Sequence, residues 1–289
     1  MEMNAFKFSI IIPHKNCPDL LRRCVESIPL RNDIQVIVVD DNSDDDKKPS
    51  LQRSGVEIYL LDSESAKGAG RARNIGLKHA KGTWLLFADS DDFYYVDFWG
   101  KIDSIVEDGD YEIRYFCVDS VSSDTLKSVE RASKKRLNTL VQDYIQGKAG
   151  SEDDLRFHYN VPWGKVYRRD FIEREKLVFD EVPVANDVMF STLSGSKADR
   201  IAVYIDVMYV VTVREGSLVS RIDKDSLRCR FLVSCRHNVY CREIRKQRYS
   251  IKVIVFVKTA LKKNGPKELV WYLKMLIKYR INPFVGSVK

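Results

Sequence analysis

No apolar run in this 289-residue chain is long enough to cross a bilayer as a helix. The longest candidate, residues 251–260, is interrupted by Lys252 and Lys258. The N-terminal apolar stretch, Phe8 to Pro13, is too short for a secretory leader and is followed by charge, so no cleaved signal is expected. Six cysteines (17, 24, 117, 229, 235 and 241) lack metal-type spacing, and the last three, six residues apart, scatter around a helix. Reduced thiols in a cytosolic protein are the expectation. The four histidines are dispersed, with no ligand pair at helical spacing. Internal repeats and low-complexity tracts are also lacking, which excludes a solenoid. What is left is an ordinary soluble composition, 44% hydrophobic and 31% charged, on a chain long enough for one large core plus an appendage.

What the chain does have is apolar runs that stop at carboxylates. Residues 84–92 run Trp-Leu-Leu-Phe-Ala and then reach Asp89, Asp91 and Asp92. Residues 34–41 run β-branched and end at Asp40 and Asp41, followed by the turn formers Asn42 and Ser43. Phe8 to Pro13 repeats the pattern. Continuous apolar runs read as strands buried on both faces, as in a parallel sheet. Helix-like segments at about 17–28 and 68–80 alternate with them, which predicts an α/β domain with right-handed crossovers. Ligands of such sheets bind beyond the carboxyl ends of the strands, where these carboxylates lie. Asp89 and Asp91 suit a divalent cation that holds phosphate, since Mg²⁺ and Mn²⁺ prefer oxygen ligands. The bland alternative is an acidic turn capping the next helix. Between the strand ends, Gly68-Ala-Gly-Arg71-Ala-Arg73-Asn-Ile-Gly76 opens a helix whose N-terminus favours phosphate. Arg71 and Arg73 add donors for phosphate or base oxygens. A dinucleotide fingerprint is excluded, because the third glycine is missing at position 73 and the segment does not follow the first strand.

The ordered motifs Ile-Ile-Pro-His-Lys-Asn (11–16), Val-Val-Asp-Asp-Asn-Ser (38–43), Ala-Arg-Asn-Ile-Gly (72–76) and Phe-Ala-Asp-Ser-Asp-Asp (87–92) resemble glycosyltransferase family 2. The resemblance is strong over roughly the first hundred residues. It implies a GT-A fold, a Rossmann-like mixed sheet with helices on both faces that binds a nucleotide sugar. It also implies inverting transfer from a nucleoside-diphosphate sugar, usually UDP-linked, with Mn²⁺ or Mg²⁺. By match of motif, Pro13, Asn16, Asp40 or Asp41, Arg71, Arg73 and Asp89 line the nucleotide-sugar site, and Asp91 is the main metal ligand. The chain departs from the commoner pattern at Lys15, where an aromatic is frequent, and at Asn42, where Gly is frequent. The general base carries over to Asp187 in Val184-Ala-Asn186-Asp187, where relatives often show Glu-Asp; simple helix capping by this pair would look the same in sequence. Val161-Pro-Trp163-Gly-Lys165 resembles an acceptor platform, with Trp163 to stack on a sugar and Lys165 to meet a phosphate, although a core role for Trp163 reads equally well. A strand running from Val210 into a loop puts Arg214 and Ser217 near the donor diphosphate by the same resemblance.

Charge divides the chain. Residues 221–289 hold 18 Lys+Arg against 4 Asp+Glu, whereas residues 1–220 hold 30 against 37. The expected division is a GT-A domain over 1–220, with a nucleotide-binding half (1–118) and an acceptor half (119–220), then a basic helical region over 221–289. Three helices are expected there, at about 224–245, 248–263 and 266–280. They lie on an anionic membrane, cap the catalytic domain with a solvated basic face, or do both, packing on the domain while showing a bilayer their lysines. The expected partners are a nucleoside-diphosphate sugar and a glycan or lipid-diphosphate-linked acceptor, at the cytoplasmic face of the membrane. Nucleic acid is not expected, since no aromatic-basic recognition module is present. Two rival functions are a catalytically silent GT-A module and a sugar-phosphate nucleotidyltransferase. The latter normally needs a glycine-rich basic loop where this chain has Pro-His-Lys-Asn.

Overall fold

The computed structural model describes residues 6–65, 67–214 and 223–286. The expected boundary at 220 and the candidate Ser217 lie outside the described residues.

Strand β1 (Phe8–His14), helix α1 (Pro18–Glu26), β2 (Ile34–Asp40), β3 (Val56–Leu60), α2 (Ala69–His79) and β4 (Trp84–Phe87) form the first half. Strands β1, β2 and β4 are buried at every position, which is why they read as unbroken apolar runs. The two helices fall within the segments expected for them. The apolar-run reading passes over β3, an edge strand whose Ile58 and Leu60 are exposed. Strands β3, β2, β1 and β4 are parallel neighbours. Their carboxyl ends therefore share one edge, with His14 in register with Asp40.

The sheet then turns antiparallel. After β5 (Phe93–Tyr94) and α3 (Ile102–Glu107) come β6 (Ile113–Ser122), α4 (Ala132–Ile145), α5 (Ser151–His158), β7 (Lys165–Arg168), α6 (Arg169–Arg174), α7 (Val188–Lys197) and β8 (Ile201–Val213). The strand order is β3-β2-β1-β4-β7-β6-β8-β5, with β7 antiparallel to both its neighbours and β6 parallel to β8. One core runs through this sheet, from Phe8 to Val211.

The C-terminal helices are α8 (Lys224–Glu243), α9 (Ile254–Asn264) and α10 (Lys267–Tyr279). Helix α9 starts six residues later than the sequence suggests. The Asn238 side chain clamps the Ile251 backbone, accepting its N–H at 2.6 Å and donating to its carbonyl at 2.8 Å, which keeps this segment from joining the helix. A second core lies among these helices, around Phe231, Val257, Tyr272 and Leu276. Helix α8 also packs on α7, where Ser196 Oγ and Tyr240 Oη lie 2.7 Å apart.

Candidate functional site

The strand-end carboxylates do converge, but each has a different job. Asp40 is fully buried and its oxygens are taken: Oδ1 lies 2.7 Å from His14 Nδ1 and accepts from Ser43 Oγ at 2.5 Å, and Oδ2 accepts the Ser43 N–H at 2.9 Å. It holds the first two strand-end turns together, and these contacts leave it unavailable to a base or ribose. His14 closes the same cluster, its Nε2 accepting the Cys17 N–H at 3.2 Å. Asn16 takes a left-handed φ of 57° and accepts the Asp44 N–H at 2.9 Å. Asn42 has φ 59°, which explains why Asn can stand where Gly is frequent. Pro13 is buried within β1. Asp41 receives the Gly68 N–H on both oxygens, at 3.0 and 3.1 Å, so it already occupies part of the helix terminus that the sequence offered to phosphate.

Arg73 is buried and engaged at both ends. One guanidinium nitrogen donates to Asp89 at 2.5 Å, the other to Asn186 at 2.8 Å, and the group lies over the Phe179 ring. This corrects the expectation that Arg73 faces the nucleotide. Asn74 pairs with the Phe179 backbone in both directions, at 2.8 and 2.9 Å. The Ala-Arg-Asn-Ile-Gly motif thus ties α2 to the segment that carries Asp187. Gly70 is needed for the same contact, since a Cβ there would sit 2.0 Å from the Asp180 carbonyl oxygen. Arg71 lies nearer the surface, paired with Glu181 at 3.0 Å.

The Asp89–Asp92 loop is fixed by its backbone. The Asp89 N–H donates to Tyr209 Oη at 2.8 Å, and the Asp91 carbonyl accepts from Arg23 and Thr212, each at 2.8 Å. Asp92 is buried and receives the Thr212 N–H at 2.7 Å. Burial and the charges of Asp91 and Asp89 push its carboxyl well above the ordinary range. The Asp91 carboxylate instead faces Arg214, 3.3 Å away. Its pKa is raised by burial first and then by Asp89, with Arg214 pulling back. An added cation would relieve that strain. Among the described residues no three His, Cys, Asp or Glu side chains converge as an all-protein metal cage would require. A site in which one or two carboxylates hold Mg²⁺ or Mn²⁺ and phosphate supplies the remaining oxygens needs no such cage, and the chemistry of the Asp91 carboxylate is compatible with it.

Asp187 sits at the start of α7 with no cap hydrogen bond from its side chain. Simple helix capping does not account for it. Burial raises its pKa, against Arg73 and Lys165, which favour the charged form. Its neighbour Asn186 is the residue held by Arg73, so base candidate and strand-end carboxylate share one strut.

The acceptor platform is corrected. Trp163 is 7% exposed and stacks on Tyr209, with ring centroids 5.3 Å apart, so it belongs to the core. Lys165 is fully buried, donates to the Tyr159 carbonyl at 2.6 Å, and lies against the Tyr115 and Tyr159 rings. Burial holds its pKa well below the usual lysine value, and an amine held among these partners in the core is not placed to meet a phosphate. Four positions went unread in the sequence: His14, Arg23, Tyr209 and Thr212. Only His14 carried a signal, since it adjoins Pro13 in a strand whose neighbour ends at Asp40.

Comparison with known proteins bears on family and fold. The chain is 27% identical over 217 residues to the uncharacterized glycosyltransferase EpsJ of Bacillus subtilis, covering 73% of this chain and 62% of that protein. It is 28% identical over 225 residues to the succinoglycan biosynthesis protein ExoO of Rhizobium meliloti, covering 74% and 64%. The matches thus span less than two thirds of either relative. The crystal structure of Staphylococcus aureus TarS 1-349 in complex with UDP-GlcNAc superposes with a TM-score of 0.67 at 20% identity, covering 95% of this chain and 80% of that one. The fold is accordingly GT-A. The family model described as Glycosyl transferase family 2 matches residues 9–175, more than half of the chain, and the chain belongs to that family.

Proposed function

We propose that this chain is an inverting glycosyltransferase of surface-polysaccharide assembly. It would move a sugar from a nucleoside-diphosphate donor, UDP-linked, to a hydroxyl of a glycan or lipid-diphosphate-linked acceptor. The observation that carries the reading is the uncapped carboxylate of Asp187, joined through Asn186 and Arg73 to Asp89. A base that is not tied up in capping a helix is free to accept a proton. The acceptor O–H gives its proton to Asp187 while its oxygen attacks the anomeric carbon. The C–O bond to the diphosphate breaks on the opposite face, and the electron pair leaves with the diphosphate. Asp91 would hold Mn²⁺ or Mg²⁺, which supplies positive charge to the departing diphosphate. Arg214, already beside Asp91, is the side chain placed to follow that charge. Asp41 and Asn16 line the strand-end turns nearest the base and ribose in this reading. TarS supports the donor class, having been crystallised with UDP-GlcNAc.

Calorimetric titration with UDP, GDP and CDP, with Mn²⁺ and again with EDTA, tests the donor half. Metal-dependent binding of UDP that is lost in Asp91→Asn is expected, and binding of none of the three overturns the reading. Turnover tests the other half. Asp187→Ala should keep nucleotide binding and lose about 10²–10⁴-fold in kcat. Unchanged transfer would remove Asp187 as the base. Binding of UDP with no transfer to any acceptor would favour the silent module.

A further inference from the structure

The lysines of α9 and α10 are not used by the fold. Residues 251–286 contain eight Lys+Arg and a single acid, Glu268. That glutamate is already taken by Lys224 and Arg228 of α8, at 2.7 and 2.9 Å. Among the described residues, Lys258, Lys262, Lys263, Lys267, Lys274 and Lys278 form no ion pair. By contrast, three cations that precede α9 are spent on the catalytic body: Lys246 on Asp153, Arg248 on Asp154 at 3.0 Å, and Arg236 on Asp180 at 2.6 Å. Among the described residues, the C-terminal lysines that form no ion pair therefore lie on or just before the α9–α10 hairpin.

The same hairpin leaves apolar side chains outside. On α10, Tyr272 and Leu276 face the helical core, but Val270 (56% exposed), Leu273 (47%) and Ile277 (77%) make a second apolar stripe at i, i+3 and i+7. Lys267, Lys274 and Lys278 run beside it on the solvent side. The Ile254 N–H donates to the Pro283 carbonyl at 3.1 Å, which ties the exposed Phe284 and Val285 to the start of α9, where Val255 is also exposed. Single exposed apolar residues are ordinary, whereas a contiguous set bordered by unpaired lysines marks an interaction surface.

We propose that the α9–α10 hairpin docks this chain on an anionic bilayer, with Val270, Leu273 and Ile277 at the acyl boundary and the lysines on headgroup phosphates. Charge selects this occupant over a second copy, because pairing two such faces would oppose two sets of uncompensated lysines. The proposal stands apart from the assigned reaction, since none of these residues belongs to the candidate site. The test is flotation of the full chain with vesicles of phosphatidylcholine alone and of phosphatidylcholine mixed with phosphatidylglycerol. Binding to the mixed vesicles only is expected, weakened by salt. Lys274→Glu with Lys278→Glu should lower partitioning by at least about fivefold per position. Leu273→Glu with Ile277→Glu should abolish it while nucleotide binding persists. These positions are exposed, so the variants fold. Failure to bind phosphatidylglycerol vesicles overturns the proposal. So does vesicle binding that survives Leu273→Glu with Ile277→Glu, which would place the membrane contact away from the α10 stripe. Concentration-dependent dimers lost in the same variants, without vesicle binding, would assign the face to a second copy.

Discussion

Asp187 holds its proton more tightly than a free carboxyl because burial disfavours the charged form more than Arg73 and Lys165 favour it. The sign of the consequence follows from linkage. A carboxyl whose pKa is higher in the folded than in the unfolded chain costs stability once both forms are ionised, and the cost disappears below the unfolded value of about 4. Asp187→Asn is therefore expected to melt at a higher temperature than the parent at pH 8, with the difference closing towards pH 4. In the parent, the acidic limb of kcat/KM should lie above the ordinary carboxylate range. Melting curves across pH and a pH–rate profile check both. Trp163 offers the opposite case, since its role is packing on Tyr209. Trp163→Ala should cost about 3–5 kcal/mol, whereas Trp163→Phe should refold the core and leave the acceptor KM close to the parent value. A folded Trp163→Phe protein that no longer bound acceptor would return Trp163 to the sugar site. These residues also show what sequence could reveal. Asp89 and Asp91 stood out because carboxylates are conspicuous where an apolar run ends, whereas Asp187 was singled out only through the family resemblance. A core role for Trp163 was open from its Pro and Gly neighbours, but the burial of Lys165 was not legible, because Tyr115 and Tyr159 reach it by tertiary contact with no local period to announce it.

At the level of elements, the site depends on how closely α2 approaches the segment leading into α7. Three consecutive features of α2 serve that approach: the side-chain-free surface at Gly70, the double-ended Arg73, and the Asn74 clamp on Phe179. The segment itself is closed by the Asp180 N–H donating to the Asn186 carbonyl at 3.1 Å. Gly70→Ala would drive a methyl group into the Asp180 carbonyl, and overpacking of this kind costs about 1–3 kcal/mol. The expected result is a lowered melting temperature with kcat falling more than donor affinity, because Asp187 shifts while Asp41 and Asp91 do not. Side-by-side calorimetry and turnover would show it, and equal losses in both would move the damage to the nucleotide side. Helix and strand placement in this half was readable since buried parallel strands are nearly all apolar. Strand β3 escaped because an edge strand need not be, and the late start of α9 escaped because it is decided by Asn238, thirteen residues before Ile251.

Across the whole molecule, the charge asymmetry seen in the sequence separates into two parts with different fates. Helix α8 and the turn after it use their cations to fasten the C-terminal helices to acidic positions of the body, at Asp153, Asp154 and Asp180. The hairpin beyond keeps its lysines. Of the three fastenings, the one at Asp180 bears on chemistry, because Asp180 closes the segment that holds Asn186 and Asp187, and Cys229 of α8 also approaches the Val184 carbonyl at 3.4 Å. The side chain of Asp180 is largely buried, with one oxygen on Arg236 and the other without a hydrogen-bond partner among the described residues. Removing Arg236 would leave that carboxylate without its cation. The Arg236 side chain is 41% exposed, so water screens part of the loss and the expected cost is about 1 kcal/mol. The effect on catalysis should exceed that share of stability, because the loosened segment carries the proposed base. Arg236→Ala is thus expected to lower kcat severalfold with UDP binding unchanged, and Arg236→Lys to restore most of it. If both variants turned over like the parent, α8 would be a passive cover on α7 and the C-terminal helices would act only through the surface they present outward.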